Sequence, residues 1–214
     1  MKSFILNEKE VNLPETWEEV NFEKFLKFSE IIKGFEANED ETLGEYESVL
    51  ENLKTNTKII SFWTGLTDEE VSYCDLDDVT GVISHLNFLN DEYEPKNISG
   101  FTIGSDDYIL PTEFMQSSSF GRYVEAEQLE LQSNMLEKGK LSILPRQIAI
   151  LCKKEGESEG KIVDAIVDKR SLQFRKLSMA TVWDVGFFLT KLEQRLIFSS
   201  LIYQEEEMQT QNLQ

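Results

Sequence analysis

Residues 64–89, TGLTDEEVSYCDLDDVTGVISHLNFL, decide how the N-terminal half of the chain is read. The stretch holds aromatics, carboxylates, Cys74 and the one histidine of the chain, His85. Its residues read as helix punctuation. Gly65 suits a helix stop. Thr67 and Glu70 stand at capping-box spacing and open a short helix that reaches Tyr73. Asp75 or Asp77 caps the next helix, where Leu76, Val79, Val82, Ile83, Leu86 and Leu89 recur as a buried stripe. Carboxylates in these first turns complement the helix dipole by ~0.3–1 kcal/mol each. His85 falls off the stripe, which makes it a structural or surface residue rather than a ligand.

Upstream, MKSFILNEKEVNLPE reads as an extended arm turned at Pro14. Thr16 with Glu19 has capping-box spacing, and Asn21 caps the next turn. Phe22, Phe25, Leu26, Ser29 and Ile32 then give an amphipathic helix with an aromatic face, stopped at Gly34. NEDE is a solvated acidic loop. Thr42 and Glu45 form another capping box, and a long helix runs from Leu43 to Trp63 and Gly65. Downstream, DEYEPKNIS is the best internal boundary, dividing a helical region 1–95 from a region 96–214, unless the two form a single domain. GFTIGSDDYILP then reads as two short strands around GSDD. A lone hairpin is marginal in water, so it must pack on helices or pair with another subunit.

SSSFGRYVEAEQLELQ is a Ser-capped helix, SNMLEKGK a loop, and LSILPRQIAILCKK a helix that starts at Pro145, where proline is tolerated. EGESEG is an acidic loop that is disordered or ordered only by a partner. KIVDAIVDKRSLQF is helical. After Ser178 the longest apolar pattern begins, running from Val182 and Trp183 through Leu192, Leu196 and Ile197 to Tyr203, before a frayed tail, QEEEMQTQNLQ. That stripe is broad enough to face a core on one side and a neighbour on the other. The fold class expected is mainly α, with a small β-hairpin insertion.

The 214 residues suffice for a real core without staples. A hydrophobic share of 40% and 14 Phe mark a globular chain rather than a disordered one. Lys and Arg number 21 against 40 Asp and Glu, a net charge of −19. With no long Lys/Arg run, tight nucleic-acid binding is excluded as an expectation. Cys74 and Cys152 lie far apart and outside any CxxC pair, so they read as reduced thiols in a cytosolic chain. Neither a signal peptide nor a membrane span is apparent, and no membrane partner is expected.

The ordinary catalytic patterns are missing. There is no GxxxxGK[ST], GxGxxG or GxSxG. The segment from Asp75 fails as a calcium loop, because Val79, Thr80 and Leu86 replace the required acidic, glycine and closing carboxylate positions. One histidine and two separated cysteines make no ordinary zinc site. Asp106 and Asp107 read as turn residues. Asp164 and Asp168 lie one helical turn apart on an exposed face, or pair with Lys161 and Arg170. Arg170, Arg175 and Lys176 form the one modest basic cluster, which contacts an acidic partner or offsets the chain's own charge. The expectation is a non-enzyme without cofactor or metal.

Several elements in order carry a resemblance: NLPETWEEVNFEKFLKF, a helix ending IISFWTGL, then TDEEVSYCDLDDV, LPRQIAILC and VWDVGFFLTKLEQRL. This order resembles a small helical family encoded among the structural genes of tailed phages, notably crAss-like and related phages of Bacteroidetes. The resemblance implies a virion structural protein, a head–tail connector or tail ring subunit below the portal, in a ring of about twelve copies. Its partners would be itself, the portal and neighbouring ring proteins, in the virion and, during assembly, the host cytoplasm. The competing implication is a tail-assembly chaperone absent from the particle. An acidic mimic of DNA and an enzyme with an unrecognised carboxylate site stand further off. A ring also needs two complementary patches, because its contacts are heterologous. The hairpin edge with Phe101, Ile103, Tyr108 and Ile109 is one candidate, and the aromatic surface at Trp17, Phe22 and Phe25 the other. Arg170 and Arg175 complete the candidate interface.

Overall fold

The computed structural model describes residues 1–36, 45–111, 120–135, 140–158 and 162–191. The chain is mainly helical with two small antiparallel sheets, of two and three strands. Its contacts divide it into two compact units. The first is Met1–Tyr93 with Ser178–Ala180, and the second is the remainder.

The first unit opens with a hairpin where an extended arm was expected. Strands β1 (Lys2–Leu6) and β2 (Lys9–Leu13) pair with Phe4 opposite Val11 and Leu6 opposite Lys9. Asn7 and Glu8 both take positive φ, 48° and 61°. That is the mirror-image turn whose twist suits a two-residue hairpin. Alternation then buries Leu6, Val11 and Leu13 and leaves Ile5 in solvent.

Thr16 and Glu19 do not cap a helix. They close a turn in which the Glu19 N–H donates to the Thr16 carbonyl and the Glu15 N–H to the Glu19 carboxylate. Helix α1 (Phe22–Glu36) starts one turn later. Asn21 caps it as expected, its Oδ1 accepting from the N–H groups of Glu23 and Lys24 at 2.9 and 3.3 Å. Gly34 does not stop α1, since an interior glycine costs only ~1 kcal/mol relative to alanine. NEDE and Thr42 lie outside the described residues.

Helix α2 (Glu45–Thr64) ends at Gly65, whose φ of 77° is the left-handed conformation glycine adopts freely. Helix α3 (Asp68–Ser72) has the complete Thr67–Glu70 capping box. Helix α4 (Leu76–Leu86) follows Asp75, whose side chain makes no cap bond. Val82 and Leu86 are buried as the stripe requires, whereas Leu76 at its start is 76% exposed. A 3₁₀ turn, Asn87–Asn90, completes the run. Residues 178–180 return to this unit. Met179 and Ala180 donate their N–H groups to the carbonyls of Val20 and Trp17 at 2.8 and 3.1 Å.

In the second unit the expected hairpin forms, β3 (Gly100–Ile103) with β4 (Asp106–Ile109). It is not alone, because β5 (Lys153–Lys154) pairs with β4. Gly100 is required: a Cβ there would stand 2.4 Å from the Tyr108 carbonyl oxygen. Helix α5 (Phe120–Met135) and helix α6 (Lys140–Leu151) take up half of the stretch SNMLEKGK expected as a loop, and its other residues, 136–139, lie outside the described residues. Pro145 sits inside α6 rather than at its start. Helix α7 (Asp164–Phe174) follows, and helix α8 spans 179–191 in the described residues. The Asp184 carboxylate, buried on α8, accepts from the Lys96 N–H at 2.7 Å. The Ser caps expected before α5 and the tail after 191 lie outside the described residues.

One ion pair ties the N-terminal hairpin to the capping box: the Lys9 ammonium donates to the Glu70 carboxylate. With the Thr67 backbone and hydroxyl also donating, Glu70 is held down to about 2 from its ordinary 4.5. A depressed carboxyl pKa adds stability above the unfolded value and loses it as pH falls toward the folded one. The melting temperature of the protein is therefore expected to fall between pH 4.5 and about 2, and Glu70→Gln to flatten that segment of the curve. An unchanged profile in the variant would show that the bridge does not hold in solution.

Candidate functional site

The first unit contains a pocket of about 410 Å³ among α1, α2, α4 and the 3₁₀ turn. Helical spacing builds its walls. Phe25, Phe28, Ser29, Ile32 and Lys33 share one face of α1. Asn56 and Ile59 come from α2, and Ile83, Leu86, Asn87, Leu89 and Asn90 close the far side. Rings run continuously behind it: Phe88 to Trp17 at 5.7 Å between centroids, Trp17 to Phe25 at 5.5 Å, Phe25 to Phe28 at 6.2 Å. Phe28 then meets Trp63 edge-on at 5.3 Å and Phe62 at 5.8 Å. Such pairs contribute ~0.5–1.5 kcal/mol each beyond area burial.

The pocket's charge departs from the chain's. Among the described residues its one charged lining residue is Lys33, an exposed cation in the last turn of α1, and no carboxylate lines it. Nearby, the Lys24 ammonium stands 4.6 Å over the Trp63 ring and donates to the Trp63 carbonyl at 3.4 Å. Burial lowers its pKa.

Of the three expected aromatic interface residues, Trp17 and Phe25 belong to this ring system, with Phe25 lining the pocket. Phe22 is fully buried and presents no surface, because its side of α1 is core. Phe28, Phe62 and Phe88 were missed, although Phe25, Phe28 and Ile32 already share helical spacing. His85 lies off the stripe as expected. Its ring packs on Phe4 at 5.1 Å, and its Nε2 is buried with no hydrogen-bond partner.

The hairpin candidates separate onto two faces. Phe101 and Tyr108 are cross-strand partners and share a face with Ile103. They meet Phe174 edge-on at 5.3 and 4.8 Å. Tyr108 is buried, so it is core and not interface. Ile109 lies on the opposite face and is 44% exposed, while Ile103 is half-buried.

Of the two readings of the basic cluster, Arg170 follows the second and offsets the chain's own charge. Arg170 is 8% exposed, since its guanidinium lies 5.5 Å from the Tyr108 ring centroid and donates to Glu157 Oε2 at 2.7 Å. Glu157 also accepts from the Lys154 N–H at 2.9 Å, so this part of the EGESEG loop is ordered without a partner. Arg122, 4% exposed, approaches the same carboxylate at 3.9 Å. Arg175 is half-buried, and Lys176 alone of the three is exposed.

Asp164 and Asp168 face Arg146 of α6, not Arg170, because α7 packs against α6. Asp106 pairs with Lys154 at 2.7 Å, while Asp107 accepts from Thr102. Among the described residues no group of three or more metal-binding side chains occurs, and no helix is long and apolar enough to cross a membrane. Burial pushes the Cys152 thiol up to about 12 and raises that of Cys74, the reverse of an activated nucleophile.

Glu157 is the carboxylate that both buried guanidinium groups approach, so removing its charge leaves Arg170 without its ion pair. Glu157→Gln is expected to cost about 3 kcal/mol in urea unfolding. The double variant Glu157→Leu with Arg170→Met recovers most of that loss, and equal losses in both would show that packing, not charge, sets the cost. No family model, curated protein or solved structure matches this chain, so the reading of its surfaces rests on their own geometry.

Proposed function

We propose that the chain is a non-enzymatic structural subunit of a tailed-phage particle, a connector or tail ring protein below the portal. The observation that carries this reading is the coexistence of a large carboxylate excess with uncovered apolar surface. Tyr73 and Leu76 of the first unit are more than 70% exposed, Val163 and Leu172 of the second more than 60%, and the first unit also carries the aromatic-walled pocket. Apolar groups left outside the chain's own core suit contacts with neighbouring subunits. The resemblance of the motif order to that of small phage structural proteins supports the same reading.

The charge suits the role. A ring that DNA traverses gains from a like-signed wall, which keeps the phosphates from gripping it. Net charge also holds free subunits apart until assembly supplies complementary patches. The partners under this reading are further copies of the chain, the portal and the adjacent ring proteins, first in the host cytoplasm and then in the particle.

Mass spectrometry of gradient-purified particles is expected to find the chain at a fixed ratio to the portal. Absence from particles, with abundance in infected cells, would sink the reading and leave an assembly chaperone. Ile109→Lys, on the outer face of the hairpin, is expected to keep the helical circular dichroism of the subunit and lower its incorporation. Full incorporation would remove the hairpin from the interface.

A further inference from the structure

We propose that the pocket among α1, α2 and α4 receives the segment 192–207 of a second copy of this chain. The inference deepens the ring reading and rests on it. It begins from the pocket's mismatch with its own protein. In a chain of net charge −19, the described lining carries no carboxylate and one cation, Lys33, which has no ion pair among the described residues. The Asn56 amide is likewise unengaged. Seven apolar side chains make up the rest of the wall with Ser29, Asn87 and Asn90. The Ser29 hydroxyl is already spent on the Leu26 carbonyl, and the Asn90 amide donates to Asn87. The occupant that fits has an apolar face and an anionic end.

Residues 192–207, LEQRLIFSSLIYQEEE, have that chemistry. Leu192, Leu196 and Tyr203 recur at helical spacing, and Glu205, Glu206 and Glu207 follow in a block. The segment follows α8 in the sequence. An amphipathic helix laid into an apolar groove is a recurrent mode of recognition, read through anchors at such spacing. The three glutamates then meet the Lys33 end of the groove, which no carboxylate among the described residues lines. Groove and segment are different surfaces. The contact is therefore heterologous: each copy gives one segment and receives another, the connectivity that closes rings.

Size-exclusion chromatography with light scattering on the full chain tests this. Wild type is expected to self-associate. Ile83→Asp in the groove and Leu196→Asp in the segment should each weaken association by about tenfold or more. Mixing these two variants should restore one intact contact and give a species of twice the monomer mass. Lys33→Glu, an exposed substitution that leaves the core alone, should weaken association, and Glu205→Lys with Glu206→Lys in the same chain should recover it. A wild type that stays monomeric at every concentration overturns the proposal, as does association unaffected by Leu196→Asp or by Lys33→Glu. A mixture that fails to pair overturns it too, because the segment then fills the groove of its own chain or none. A small apolar acid found in the groove by native mass spectrometry would likewise overturn it. All of these results are independent of whether the chain is present in particles, so the failure of this contact and the failure of the ring reading are separable.

Discussion

Charge imbalance is the constraint on which the rest of the structure depends. With 40 carboxylates against 21 cations, the chain cannot pair all its acids one to one, so it must leave about half of them to water. The interior is built from what remains, which is apolar and aromatic. Only three charged residues are buried among those described: Arg122, Arg170 and Asp184. Two of the three are cations, although cations are the minority. A guanidinium is weakly hydrated and stacks on rings, so it tolerates burial better than an ammonium does. Arg170 does this against Tyr108, and Glu157 supplies its charge partner. Asp184 enters with the Lys96 backbone N–H donating to it, since a buried carboxylate without a donor is strongly disfavoured.

The same constraint explains the aromatic content. Rings cover much area with few rotamers, and edge-to-face contacts add to the area term. In the first unit they form a file from Phe88 through Trp17, Phe25 and Phe28 to Trp63, and in the second a triad of Phe101, Tyr108 and Phe174. The triad is closed and makes core. The file is open along one side and makes the pocket wall. That difference separates the two sequence candidates for an interface: the hairpin spends its aromatics inside its own unit, whereas the first unit leaves some of its rings available.

The cations that reach the surface are placed with similar economy. Lys9 anchors the first hairpin to the α3 capping box, Lys154 joins β5 to Asp106, and Arg146 joins α6 to α7. Lys33 makes no such link and lies instead on the lining of the pocket, whereas Arg170 is spent on Glu157 inside its own unit. Exposed pairs of this kind stabilise little individually, so their value is in register and orientation.

What the sequence determined by itself is local. Asn21, Gly65 and the Thr67–Glu70 box act within one helical turn, so a few residues contain all the physics they need. The mainly helical class with a hairpin at 100–109 followed from periodicity and turn chemistry in the same way. Tertiary structure decided what depends on distant partners. The N-terminal hairpin has no glycine in its turn, and Asn7 and Glu8 accept positive φ because strand pairing and the burial of Leu6, Val11 and Leu13 favour it. Strand β5 is two residues long and exists only against β4. Pro145 stays inside a helix because α6 is buried between its neighbours. Arg170 reads as a surface cation until Glu157 and Tyr108, far apart in sequence, are brought to it. The pocket needs faces of three helices whose residues, 25–33, 56–59 and 83–90, are periodic separately but show no mark of meeting. Helical spacing says which side of a helix is apolar; only packing says whether that side is covered.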